Sequence, residues 1–241
     1  MCTVTFIASE DKVIITSNRD EHISRRANLK PKTEILNGIR VLYPKDKTAG
    51  GTWFALNEKG SVAVLLNGAF KNHKRTPPYK KSRGQIVLDI ISDANPVTKI
   101  EEINLRGIEQ FTLVLYHESL LYEFRWDGQQ KHWKRLNKEE RYIWSSWTLY
   151  DEEAQFLRDQ LFKEFIANTD SPDSKSIVAF HQHNNGDFEN GFVIDRKNGL
   201  KTLSITQAIL TSKSIALDHH DLDQEHIDST VVTPILSVPV Q

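Results

Sequence analysis

The chain has 241 residues, and its 31 Lys and Arg against 32 Asp and Glu leave a formal net charge of −1. That length suits one domain that needs no disulfide or metal staple, and the charge balance argues against nucleic acid or an anionic membrane as the main partner. A single cysteine excludes an internal disulfide and any CxxC-type metal or redox site. No leader-like segment opens the sequence and no apolar run nears the roughly 20 residues of a membrane span, so a soluble, cytoplasmic chain is expected.

In chain order, Thr3–Ala8 alternates apolar and polar residues and Val13–Thr16 follows a polar turn, which predicts a hairpin. Thr52–Leu56 and Val62–Leu66, joined at Asn57-Glu58-Lys59-Gly60, predict a second. Its apolar return strand suggests burial on both faces. The basic stretch Lys71–Arg75, with Lys80, Lys81 and Arg83 beyond two prolines, reads first as a solvated loop, with an anion-binding loop as the alternative. Ser82 is placed to cap a helix through Ile86, Val87, Ile90 and Ile91. Strands are expected at Phe111–Tyr116, Leu120–Trp126, His132–Leu136 and Tyr142–Trp147. Asp151-Glu152-Glu153 then opens an amphipathic helix through Ala154, Leu157, Leu161 and Phe165. A further helix at Ser174–Phe180 precedes strands at Gly191–Ile194, Leu203–Leu210 and Ser214–Leu217. From about residue 221 an irregular tail is expected. The order lacks regular βαβ alternation, so one α+β domain over 1–241, with two antiparallel sheets and helices outside, fits best.

Cys2 follows the initiator Met. Removal of Met1 would leave an α-amine on the same residue as a thiol, and an amine with a pKa near ~8 can serve that thiol as its general base. Ser17-Asn18-Arg19-Asp20-Glu21 gathers two carboxylates, a guanidinium and an amide on the strand expected to pair with the one after Cys2. A carboxylate there would orient the amine, and an arginine near the sulfur would favour the thiolate. Trp53, after Gly50-Gly51, suits an aromatic pocket wall approached closely by backbone. His181, His183, His219 and His220 are metal-ligand residue types, but their spacing supports no metal site, and no cofactor is expected.

Met1-Cys2-Thr3, Asn18-Arg19-Asp20-Glu21, Gly50-Gly51-Thr52-Trp53, Leu66-Asn67-Gly68 and Ser82-Arg83-Gly84, in that order, resemble the NRDE family, also called the transport-and-Golgi-organisation family. The resemblance implies the four-layer αββα fold of N-terminal nucleophile hydrolases. It also implies kinship with cysteine amidohydrolases such as bile salt hydrolase and penicillin V acylase. On it, Cys2 matches the nucleophile, Asp20 the acidic partner of the N-terminus, and Asn67 the oxyanion-hole asparagine. Arg19 is a further catalytic candidate, while Asn18, Trp53 and Ser146 are candidates for contacting substrate. Ser145-Ser146 and Thr202-Leu203-Ser204 stand where the family usually shows Ser-Asn and Thr-Arg-Ser, so an amide and a guanidinium are missing. Two functions are implied: an amidohydrolase or acyl-transfer enzyme acting on a small-molecule amide, or a carrier of a haem- or lipid-like ligand. Either admits a homo-oligomer. Strand alternation puts Asn18 and Asp20 on one face and Arg19 on the other. The family mechanism further requires Asp20 near residue 2 and Asn67 in the same cleft.

Overall fold

In the computed structural model, residues 3–25 and 30–232 are described. One sheet contains β1 (Thr3–Ala8), β2 (Lys12–His22), β10 (Tyr142–Ser145), β11 (Leu200–Thr211), β12 (Ile215–Asp221) and β13 (His226–Val232). Its strand order is β10-β1-β2-β11-β12-β13. The other sheet runs in chain order through β3 (Pro31–Leu36), β4 (Ile39–Pro44), β5 (Phe54–Asn57), β6 (Val62–Asn67), β7 (Phe111–His117), β8 (Leu120–Trp126) and β9 (Lys131–Leu136). Neighbouring strands are antiparallel throughout. The helices are α1 (Arg83–Ile91), α2 (Pro96–Glu102), α3 (Glu152–Ala167) and α4 (Ser174–Gln182).

Three apolar layers hold these elements apart. Val4, Phe6 and Ile15 meet Phe54, Val64 and Leu66 between the sheets. Ala63 and Leu65, the alternate residues of β6, pack on Ile86 and Ile90 of α1. Ile7 and Ile14 lie under Phe162 of α3 and Ile177 of α4. Each sheet is therefore covered on both faces, giving the αββα order of layers. Burying each large aliphatic or aromatic side chain contributes roughly 1.5–3 kcal/mol before chain entropy is counted.

Local signals explain several boundaries. Ser82 caps α1 by accepting from the Gln85 N–H, while the Gln85 side chain returns to the Ser82 N–H. The β5–β6 turn is held by Asn57, whose Oδ1 accepts from Lys59 and Ser61 N–H at 3.0 Å. The β3–β4 hairpin and α2 rest on local signals of the same kind. Asn37-Gly38, with φ of 52° and 80°, forms the two-residue turn of the β3–β4 hairpin. Asn95 caps α2, with Pro96 at its first position.

Some expectations need correcting. β10 ends at Ser145 rather than Trp147. In α3 the buried face is Ala154, Arg158 and Phe162, whereas Leu157 is half exposed. No strand forms over Gly191–Ile194; Gly191 O accepts from the Arg158 side chain and Phe192 O from that of Asn18, while Ile194 O accepts from the Thr202 N–H. His181 lies inside α4 rather than after it. Residues 226–232 form β13 where irregular chain was expected, and pair with β12 from Asp221↔His226 to Ile215↔Val232.

Candidate active site

A cavity of about 750 Å³ opens at one end of the sheets, a size suited to a small-molecule ligand. The strand end of β2 supplies Arg19 and Glu21, the segment before β5 supplies Gly51, Thr52 and Trp53, and Asn67 closes β6. The loop before α1 and the first turn of that helix complete the wall with Arg75, Lys80, Lys81, Ser82, Arg83 and Gly84.

Two glycines set the floor. Gly51 and Gly84 meet backbone to backbone, with the Thr52 N–H donating to Gly84 O at 3.1 Å. A Cβ on Gly51 would fall 2.2 Å from the Gly84 carbonyl carbon, and one on Gly84 would fall 2.7 Å from Thr52 O. Only residues without side chains permit this approach. Above the floor, Arg19 lies over the Trp53 ring, 4.4 Å from its centroid. The Arg19 guanidinium stands 3.6 Å from Asp46 and 3.9 Å from Glu21, and Arg25 bridges the same two acids at 2.7 and 3.0 Å. On the opposite wall the buried Glu109 faces Arg75 at 3.2 Å, Arg83 at 3.4 Å and His73 at 3.5 Å. Burial pulls the Arg83 pKa down from its ordinary value, opposed by the Glu109 charge.

The expected site residues separate into groups. Arg19, Trp53 and Asn67 line the cavity together. Asn67 follows Ala63 and Leu65 on the α1 side of its strand but reaches the cavity because the strand ends there. Ser146 is fully buried and donates its hydroxyl to Asn67 O at 3.0 Å, so it fastens the strand that presents Asn67. Asn18 and Asp20 lie on the face of β2 opposite Arg19, beneath α3 and α4. The Asp20 carboxylate accepts from the Tyr150 hydroxyl and from the Thr202 hydroxyl, both at 2.6 Å, in the range of charge-assisted bonds. The Asn18 amide donates to His181 O at 2.9 Å and Phe192 O at 2.8 Å. Cys2 lies outside the described residues.

Around Asn18 and Asp20 stands a polar network that the sequence did not announce. Because the Asn18 Nδ2 hydrogens both go to carbonyls, its Oδ1 accepts from His181 Nδ1, and His181 Nε2 accepts from the Thr5 hydroxyl at 2.8 Å. His181 is thus neutral, and burial pushes its pKa down to about 3. Arg158, also buried, donates to Thr3 Oγ1, Asn190 O and Gly191 O and stacks 3.5 Å from the Tyr150 ring centroid. Thr202 and Ser204 flank a register shift opposite Asp20 and Arg19. That bulge takes Leu203 out of the pairing, at the position where the family usually has arginine.

The fold matches solved structures of N-terminal nucleophile hydrolases. A Caenorhabditis elegans N-acylethanolamine-hydrolyzing acid amidase ortholog aligns at TM-score 0.60 with 12% identity, over 86% of this chain and 92% of that one. A variant of Clostridium perfringens conjugated bile acid hydrolase aligns over the full length of both chains at TM-score 0.55 and 12% identity. In sequence, the mouse Transport and Golgi organization 2 homolog is 27% identical over 101 residues, which are 40% of this chain and 34% of that protein. The match thus spans about a third of the mouse relative's length. Among the described residues no helix is long and apolar enough to cross a membrane. The Transport and Golgi organisation 2 family model matches residues 1–184, three quarters of the sequence and all five of its motifs, and the chain belongs to that family.

Proposed function

We propose that the protein is an N-terminal-cysteine amidohydrolase or acyl-transfer enzyme acting on a small-molecule amide. One observation carries this reading: β1 starts between the neighbours of the cavity residues. Thr3 pairs with Asn18, which precedes Arg19, and with Ser145, which precedes the Ser146 that holds Asn67. Cys2 immediately precedes Thr3 in the sequence.

In this reading, loss of Met1 frees the Cys2 amine. The amine takes the thiol proton and the sulfur attacks the amide carbonyl, forming a C–S bond. The developing oxyanion is met by the Asn67 amide, a donor of a kind worth about 3 kcal/mol of barrier. The C–N bond then breaks, the ammonium returns its proton to the leaving amine, and water or an acceptor amine releases the acyl group from the thioester. Asp20, bound by Tyr150 and Thr202, serves as the acidic partner of the N-terminus. Asn18 and Ser146 act as supports rather than substrate contacts, and Trp53 is the aromatic wall.

The alternative, a carrier of a haem- or lipid-like ligand, draws on the size of the cavity alone and needs neither a free amine nor a thiol. Intact mass after exposure to a thiol-reactive amide or lactam separates the two. The enzyme should lack Met1 and gain one acyl adduct, at Cys2, the only cysteine. Cys2→Ala should fold and bind but not turn over. Active protein that retains Met1, or unchanged turnover in Cys2→Ala, would exclude the mechanism.

A further inference from the structure

We infer that the cavity contains an anion subsite on its Arg75–Lys80–Arg83 wall, which selects ligands carrying a carboxylate or phosphate. The inference rests on the amidohydrolase reading only in calling that ligand a substrate. Six Arg and Lys side chains line the cavity against three acidic ones, in a chain whose charges nearly cancel. The excess is not spread evenly. Arg19, Arg25, Glu21 and Asp46 close into a neutral cluster at the end of β2. Lys81 turns to Asp89, which is outside the cavity lining. That leaves Arg75 and Arg83 sharing Glu109, with Arg83 also donating to Gln110 O at 3.2 Å, and Lys80 beside them on the lining.

The geometry of this wall favours a bound acceptor. The Lys80 N–H donates to Gly107 O at 2.9 Å and its methylenes lie over Gly107, within 3.1 Å of where a Cβ would stand. The stem of Lys80 is thereby fixed, yet its ammonium has no ion-pair partner among the described residues. The first turn of α1 faces the same space, adding the positive end of its dipole. Buried donors remain unused as well. His73, whose Nε2 stands 3.5 Å from Glu109, makes no hydrogen bond through either ring nitrogen, and across the cavity Trp53, 2% exposed, has an indole N–H without a hydrogen-bond partner. Buried polar groups rarely stay unsatisfied. A lining rich in donors and short of acceptors is complementary to an anion. Lys71, Lys74 and Arg75 of the basic loop are solvent-exposed, as a solvated loop requires, and Arg75 and Lys80 also reach the cavity lining, where the anion would bind.

The test is calorimetric titration of the full chain, carrying Cys2→Ala so that nothing turns over, with hexanoate, hexyl phosphate and neutral hexanamide at low salt. At least one anion should bind about tenfold or more tightly than hexanamide, the margin of one good charged contact, and should weaken as salt rises. The relative strength of hexanoate and hexyl phosphate tells carboxylate from phosphate. The Arg75→Gln, Lys80→Gln double variant should lose about tenfold for the anions and stay within about twofold for hexanamide. Failure of both anions to bind, equal or tighter binding of hexanamide, or anion binding untouched by the double variant would overturn the subsite. Anion binding in a protein that hydrolyses no amide would instead defeat the enzymatic reading and leave the subsite standing.

Discussion

Arg19 and Asp20 are adjacent in the chain and occupy different environments. The inward face of β2 at this point is a cavity wall: Arg19 rests on the Trp53 ring and stands near two acids that it shares with Arg25. The outward face is a closed polar core, where Asn18 and Asp20 are tied to α4, to β11 and to Tyr150 just before α3. One motif thus serves two ends. Pleating gives one side chain to the cavity and uses its neighbours to hold the sheet against the helices. The inward face should govern ligands and the outward face chiefly stability, with Asp20 reaching the reaction only through the N-terminal amine that it backs in the proposed mechanism.

The largest expected effect lies outward. Asn18→Ala leaves His181 O and the His181 Nδ1 hydrogen unpaired in the interior and leaves Phe192 O only its long bond from the Thr202 hydroxyl, at 3.4 Å. At about 1–3 kcal/mol for each buried unsatisfied group, the variant should lose roughly 4 kcal/mol in urea unfolding. A loss below about 1 kcal/mol would erase the distinction between the faces.

Acid should sharpen it next. His181 on the outward side and His219 on the inward side are held by burial at pKa values of about 3 and about 4. Both lie below the unfolded value near 6.5. Below that value the unfolded chain binds protons that the native protein refuses, so stability is complete above pH 6.5 and declines as pH falls towards 4 and 3. Each histidine should cost on the order of 2 kcal/mol between pH 7 and pH 5. His181→Gln and His219→Gln should each flatten that decline in urea melts recorded across the pH range. An unchanged slope in both would show that neither histidine is buried neutral.

The smallest effect is expected at the cavity. Arg19→Leu removes a stacked cation whose acidic neighbours keep Arg25, so the loss should be about 1 kcal/mol, a shift of about 2–4 °C in melting temperature. A loss as large as that of Asn18→Ala would make both faces structural.

The sequence reading succeeded where the signal was local. The Ser82 cap, the β5–β6 turn, and the opposite orientations of Arg19 and Asp20 follow from spacing and alternation. The outward network could not be read that way, because the partners come from far along the chain. Tyr150 and Thr202 are 130 and 182 residues from Asp20, and His181 is 163 from Asn18. The stripe through α3 misled for a related reason: its buried face includes Arg158, which periodicity of apolar residues cannot find. The Asn37-Gly38 turn, in contrast, is a plain local signal, set between two strands of modest apolar pattern.

The glycine contact beneath the cavity constrains how such a site can diversify. Gly51 and Gly84 touch through main chain alone, so no side chain at either position is available for tuning ligand choice. Variation must come from the irregular stretch before α1, where Arg75 and Lys80 project from a segment that belongs to no helix or strand and where substitutions disturb little packing. The same platform could thus be refitted for new ligands by exchanging a handful of loop residues while its base stayed untouched.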